Sequence, residues 1–264
     1  MKLKPRLCYK AFLISLLFVS GLVIAGIIFP ALAVLCKPAN AKRNCDTLKL
    51  AWLHWFATII DLSISVEGAA PNKGCLFVSN HVSWLDIIVL GGVTPAHFVA
   101  KSDILSWPVI GYLAKQGGTV FVRRGEKQQA RAIGEEMVWL LKQNSTVIAF
   151  PEGTTTRGDV VLPFHASLLQ PALLVKANVQ PIALEYLGES KEHAPFVGDD
   201  AFVPHLFNIL SLDKIEVRVV FHPMISTVGK TRQSVSGEAR ALIMESIITD
   251  EKATANISTV ARQR

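Results

Sequence analysis

The chain has 264 residues, 50% of them hydrophobic and only 18% charged, which suits one medium domain with an appendage and excludes a disordered or fibrous protein. A formal charge of +6 and a pI of about 9.2 favour an anionic partner. The basic residues flank apolar segments or lie scattered, without interleaved aromatics on one face, which points to a lipid surface and away from nucleic acid.

From Ala11 to Cys36 the chain carries no charge, and about 20 mainly apolar residues are enough to cross a bilayer. Lys2, Lys4, Arg6 and Lys10 precede this run as they would in a signal peptide, whose apolar core is shorter, roughly 7–15 residues. A retained anchor is therefore predicted. Lys37, Lys42, Arg43 and Lys49 balance the near-side charges, so the positive-inside rule leaves orientation open. Leu48 to Ile60 is too short to span. Trp52 and Trp55 suit the water–lipid boundary, so this stretch reads as the second arm of a re-entrant hairpin or as a helix covering the domain behind it. Cys8, Cys36, Cys45 and Cys75 show no CxxC spacing and read as free thiols in a reducing compartment.

Past Val66 short β-branched runs alternate with helical periodicity, the pattern of an α/β domain. Candidate strands are Cys75–Ser79, His97–Ala100, Thr119–Val122, Thr146–Phe150, Pro181–Glu185 and Ile215–Phe221. Ala130, Ile133, Met137 and Leu140 recur at helical spacing between the third and fourth of these. A last helix is expected from about Ser236 to Ile248, followed by a frayed polar end. The expected organisation is anchoring helices over 1–66, a globular domain over 67–248 and a polar tail over 249–264.

Chemistry first becomes legible at Ser79-Asn80-His81-Val82-Ser83-Trp84-Leu85-Asp86, which follows a strand and opens a helix. Five helical steps rotate a side chain by about 140°, so His81 and Asp86 do not share a helix face. With His81 just ahead of the helix, Asp86 in the first turn reaches one ring nitrogen and leaves the other to take a proton. Ser83 and Asp86 also have the spacing of a capping box, and Asn80 that of a turn residue. A second loop, Phe150-Pro151-Glu152-Gly153-Thr154, ends another apolar run, and its Gly allows a tight turn with amides facing an anionic or polar headgroup. Between them, Gly118-Thr119-Val120-Phe121-Val122-Arg123-Arg124 brings two arginines to a strand end, where solvation alone would also explain them.

Asn80-His81-x-x-x-x-Asp86, Gly118-x-x-Phe121-Val122-x-Arg124 and Phe150-Pro151-Glu152-Gly153-Thr154, in this order, resemble the first three motif blocks of the glycerolipid acyltransferase family that includes lysophosphatidate acyltransferases. Val179-Gln180-Pro181-Ile182 resembles the fourth more weakly. The resemblance runs from about Lys73 to Pro223. It implies an α/β fold with a mixed central sheet flanked by helices, preceded by an N-terminal membrane helix or helical hairpin. It further implies that His81, with Asp86, activates the hydroxyl of a lysolipid for direct attack on a fatty acyl thioester, acyl-CoA or acyl carrier protein, without a covalent enzyme intermediate, cofactor or metal. Asn80, Arg124, Glu152, Gly153 and Thr154 are implied at the acceptor headgroup or the oxyanion. An inner-membrane enzyme with its catalytic domain on the cytoplasmic side is the expected setting.

One departure bears on the acceptor. Many phosphatidate-forming members carry an arginine after the Gly-Thr of the third block, where this chain has Thr155, and Arg157 follows two residues later. A neutral side chain forgoes bidentate phosphate recognition, which Arg157 would restore from the next turn. The Gly-Thr-Thr form is similar to the branch that acylates lyso-ornithine lipid. Among rival classes, a serine hydrolase with Ser83 or Ser79 as nucleophile beside His81 lacks its G-x-S-x-G elbow, and a metallohydrolase lacks its H-E-x-x-H. A non-catalytic membrane-anchored binding protein would account for charge and anchor but leaves the ordered motifs without a role.

Overall fold

The uncharged N-terminal run forms one 31-residue helical segment, Pro5–Leu35. It comprises α1 (Pro5–Val23), a π-helical turn at Ile24–Ile28 and α2 (Phe29–Leu35). Pro30 offers no N–H to the Gly26 carbonyl and its ring crowds that oxygen, and the wider turn immediately ahead takes up the mismatch. The chain then reverses, and α3 (Pro38–Ile59) opens with proline in its first turn, where a missing N–H costs nothing. The structure is a computed structural model that describes residues 5–71, 74–122 and 127–261; over 127–133 and 248–261 the description is of the helical backbone.

Lys10, Ile14, Leu17, Gly21 and Ala25 recur three or four apart and are buried, whereas Phe12, Leu16, Val19 and Ile27 on other faces are exposed. The helix thus packs along the domain by one stripe. Lys10 Nζ sits 2.8 Å from Asp61 Oδ2 and donates to the Leu212 carbonyl at 2.9 Å, fixing the start of α1 to the globular domain. The Leu48–Ile60 stretch serves largely as a covering helix: Phe56 and Ile60 are buried in the main core. Trp52, expected at the water–lipid boundary, turns inward instead and donates its indole N–H to the Leu17 carbonyl at 2.9 Å. Gly21 permits that approach, since a Cβ there would lie 2.9 Å from the indole nitrogen. Trp55 remains exposed.

The rest of the chain runs β1 (Leu62–Glu67), β2 (Leu76–Ser79), α4 (Leu85–Val93), β3 (Ala96–Lys101), α5 (Ile110–Gln116), β4 (Val120–Val122), α6 (Lys127–Lys142) and β5 (Thr146–Ala149). It continues through α7 (Gln170–Val175), β6 (Val179–Leu187), α8 (Ser190–His193), α9 (Phe202–Ser211), β7 (Ile215–Phe221) and α10 (Arg232–Ala261). The strands form one sheet in the order β1-β7-β6-β2-β5-β3-β4. It is mixed: β6 and β7 pair antiparallel and every other neighbour is parallel. Central β2 and β5 are buried throughout, as parallel strands covered on both faces must be. Phe77, Leu85, Ile148 and Leu184 pack with α1, α3, α4 and α9 on one face, and Leu76, Val78, Met137 and Val147 pack with α6, α7 and α10 on the other.

Three features depart from the sequence reading. β1 was not among the candidate strands and begins inside the region expected to hold only anchoring helices; it is an edge strand pairing with β7, and most of it is exposed. The helices α5, α7, α8 and α9 were likewise not expected. α10 continues to Ala261, across the segment expected to fray, because nothing from Thr249 to Ala261 is proline or glycine.

Candidate active site

Two neighbouring parallel strands, β2 and β5, end side by side, and the loops leaving them carry the first and third motif blocks. Functional groups gather at such carboxyl ends because the strands stop there and the following helices splay away. His81 follows β2 and precedes α4. Its Nδ1 lies 2.7 Å from Asp86 Oδ2, and the same oxygen accepts the backbone N–H groups of Val82 at 2.8 Å and Ser83 at 3.1 Å. Oδ1 of Asp86 accepts the Tyr186 hydroxyl at 2.8 Å. Asp86 is wholly buried, while the His81 side chain keeps 20% of its surface. A carboxylate acceptor makes Nδ1 the protonated nitrogen, so Nε2 carries the lone pair. The Phe150 ring stacks on the imidazole at 4.0 Å and 14°, fixing its plane.

The capping-box alternative is met only in half. Asp86 accepts the Ser83 N–H, but Ser83 Oγ is buried and, among the described residues, has no hydrogen-bond partner. The same isolation removes Ser83 as a nucleophile activated by His81.

From the second loop, Glu152 reaches across to the first. Its Oε1 accepts the His81 backbone N–H and its Oε2 that of Leu162, both at 2.8 Å, and only 4% of the residue is exposed. Burial pushes the Glu152 carboxyl above its usual range, against the two backbone N–H bonds and the nearby imidazole, which lower it. Thr156 N donates to the His81 carbonyl at 2.8 Å, and Phe196 N to that of Val82 at 2.9 Å. The histidine loop is therefore held from three sides.

Several expected site residues take other places. Asn80 is wholly buried, donating to the Leu184 carbonyl at 2.9 Å and accepting the Leu184 N–H at 2.8 Å; it ties β2 to β6 where a headgroup or oxyanion contact was expected. Glu152 is likewise spent on backbone, because a carboxylate this deep must have its lone pairs filled. Gly153 adopts φ 68° and directs its N–H back to the Phe150 carbonyl at 3.0 Å, so that amide closes the turn. Thr154 and Arg157 are exposed at the loop surface, and the Thr155 hydroxyl donates to the Phe196 carbonyl. Arg124 lies outside the described residues. Sequence reasoning missed Tyr186, although Ile182, Leu184 and Tyr186 alternate on the buried face of β6 and only the last carries a polar atom.

A family model described as Acyltransferase matches residues 63–185, which contain the histidine and glutamate loops. The lyso-ornithine lipid O-acyltransferase of Pseudomonas aeruginosa is 34% identical over 194 residues, covering 73% of this chain and 75% of that protein. The chain belongs to the glycerolipid acyltransferase family. This acyltransferase is also 36% identical over 166 residues to the 1-acyl-sn-glycerol-3-phosphate acyltransferase of Neisseria meningitidis, covering 61% of this chain and 65% of that one. The crystal structure of the 1-acyl-sn-glycerophosphate acyltransferase from Thermotoga maritima superposes with a TM-score of 0.70 at 18% identity, over 93% of this chain and 98% of that one. The acyltransferase is thus an enzyme on a shared fold, and the reading as a non-catalytic binding protein falls away.

Proposed function

We propose that this acyltransferase is membrane-bound and moves a fatty acyl group from an acyl thioester, acyl-CoA or acyl carrier protein, to the hydroxyl of a lysolipid, with His81 as general base. The observation that carries the reading is the 2.7 Å contact between His81 Nδ1 and buried Asp86, which leaves Nε2, among the described residues, as a free acceptor on a half-buried ring. A lipid hydroxyl is a poor nucleophile unassisted and an imidazole is a base suited to neutral pH. Nε2 takes the hydroxyl proton as the oxygen attacks the thioester carbonyl, and the imidazolium returns it to the departing thiolate. Asp86 orients the ring and stabilises the imidazolium; Asn80 and Glu152 hold the loop that carries it. Exposed Thr154 and Arg157, with Gly153 shaping the turn, are assigned to the acceptor headgroup, and Arg124 joins them on the strength of the second motif block alone.

Lyso-ornithine lipid O-acyltransferases recur among the relatives, at 34% identity in Pseudomonas aeruginosa and 33% in Rhizobium meliloti. Together with Thr155, whose hydroxyl is turned onto the Phe196 carbonyl, this favours a lyso-aminolipid as acceptor over lysophosphatidate. The helical segment Pro5–Leu35 is long and apolar enough to supply the membrane contact, and the proposal sets the catalytic domain on the cytoplasmic side. Purified protein given labelled acyl-CoA or acyl carrier protein and a panel of lysolipids should transfer label to lipid and accumulate no acyl-enzyme. A trapped acyl-enzyme, or binding without turnover for every pair, would overturn the mechanism.

A further inference from the structure

Asp86 is held by two kinds of contact. The three donors on Oδ2, His81 Nδ1, Val82 N and Ser83 N, belong to its own loop. Oδ1 is reached from a different part of the fold, by the Tyr186 hydroxyl near the end of β6, 100 residues away in sequence. Contacts on one oxygen alone leave a carboxylate free to pivot about that atom; a donor on the second oxygen fixes its plane. The tyrosine is well placed for this, because it is 4% exposed, packs in the main core with Leu184 and Phe77, and extends the strand that Asn80 ties to β2.

We propose that Tyr186 is a positioning residue for acyl transfer: its hydroxyl fixes the Asp86 carboxylate, and through it the aim and basicity of His81 Nε2. The inference rests on His81 being the general base. As a donor, the phenol draws negative charge from Asp86 and so moderates how strongly the carboxylate holds an imidazolium. Burial first, then the charge of Asp86 and the bond to it, push the phenol well above its ordinary range, so Tyr186 stays protonated across the working pH. No tautomer change is asked of it. The motif blocks end short of it, and the family match stops at residue 185.

The test is Tyr186→Phe, which keeps the ring in its cavity and removes only the hydroxyl. With the carboxylate no longer fixed at Oδ1 the imidazole loses its aim, and because small misplacements of a reacting group are costly, kcat should fall by roughly tenfold or more. KM for a long-chain acyl-CoA and for the lysolipid should stay within about twofold. With the full Asp86 charge facing it, His81 should hold its proton to higher pH, moving the acid limb of kcat/KM upward. The double variant His81→Ala/Tyr186→Phe should be no slower than His81→Ala, because the tyrosine acts through the ring. Nitrogen-15 NMR of the imidazole in detergent reads the same change without turnover, as a shift in the pH at which His81 titrates. A Tyr186→Phe enzyme with lowered Tm but unchanged kcat, pH profile and imidazole titration would make the bond purely structural and overturn the proposal. If His81→Ala retained wild-type turnover, the base assignment itself would fail, whatever Tyr186→Phe does.

Discussion

The carboxylate of Glu152 holds the backbone N–H of His81 at 2.8 Å, joining the ends of β5 and β2 through a bond that does not involve the imidazole. Side-chain and main-chain roles at His81 are therefore separable. His81→Ala should cut acyl transfer by about 10²–10⁴ while Tm stays near wild type, since the backbone bond remains. Asp86→Asn should also slow transfer, by unsettling the ring's tautomer and direction. Glu152→Ala should behave differently: it strands the N–H groups of His81 and Leu162, at about 1–3 kcal/mol each, so stability and activity fall together. Rates and melting curves on the three variants check this, and an unstable but active His81→Ala would reverse the assignment.

These contrasts show where the sequence was readable. The strands after β1 and the helix α6 declare themselves by local apolar runs and 3.6-residue spacing. His81 and Asp86 lie close enough in sequence for helix geometry alone to place one against the other. What local pattern does not reveal is pairing across the fold. Asn80 and Glu152 look like ligand residues because polar side chains in loops usually face solvent, yet both are consumed by backbone groups that only the assembled sheet brings near. Tyr186 is in the same position, 100 residues from its partner. β1 and α9 were legible in principle: Leu62, Ile64 and Val66 alternate with polar residues, and Phe202, His205, Leu206, Ile209 and Leu210 follow helical spacing.

Membrane attachment should depend on the exposed stripe of α1 and not on its packed one. Phe12→Glu with Leu16→Glu places charges on residues 61% and 50% exposed, outside the core. A charge at bilayer depth costs about 2.5–3.5 kcal/mol on insertion scales, so the pair should release much of the protein on carbonate extraction while Tm in detergent stays near wild type. Ile14→Glu, on the buried stripe, should instead unfold it. A Phe12→Glu/Leu16→Glu protein that still floats with liposomes would remove α1 as the membrane contact.

Acidification should destabilise the enzyme through buried histidines. His205 accepts the Trp84 indole N–H on Nδ1 at 3.0 Å and donates from Nε2 to the Pro195 carbonyl at 3.1 Å, so it is neutral. Burial holds it below the usual range, against the Pro195 and His193 carbonyls and the charge of Asp200, and burial lowers His97 and His222 as well. Where the folded value is depressed, the unfolded chain binds more protons below its own value of about 6.5, so stability is intact above that pH and lost as pH falls through it. Glu152, raised in the fold, acts with the opposite sign, adding stability as pH falls through its folded value. Tm should therefore drop from pH 7.5 to pH 5.5, and less steeply in His205→Gln, which can still accept from Trp84. Equal slopes in both proteins would clear His205 of the effect.

Acceptor choice turns on two side chains two residues apart. Thr155 gives its hydroxyl to the Phe196 carbonyl, within a segment whose own N–H grips the Val82 carbonyl, so this neutral residue is part of the wall beside the histidine loop. Arg157 is exposed and lines a small hollow with Val82, Glu185, Tyr186 and Lys191. If the wall faces a headgroup without a terminal phosphate, wild-type enzyme should acylate lyso-ornithine lipid faster than lysophosphatidate. Thr155→Arg should then shift the ratio toward lysophosphatidate by roughly tenfold or more, since a charge-assisted bond is worth about 1.5–3 kcal/mol. Losing the Phe196 contact will cost the variant some rate on both acceptors, which is why the ratio, and not either rate alone, is the readout. Arg157→Ala separates the other outcome: strong wild-type preference for lysophosphatidate that disappears in this variant would assign phosphate recognition to Arg157 and defeat the aminolipid reading.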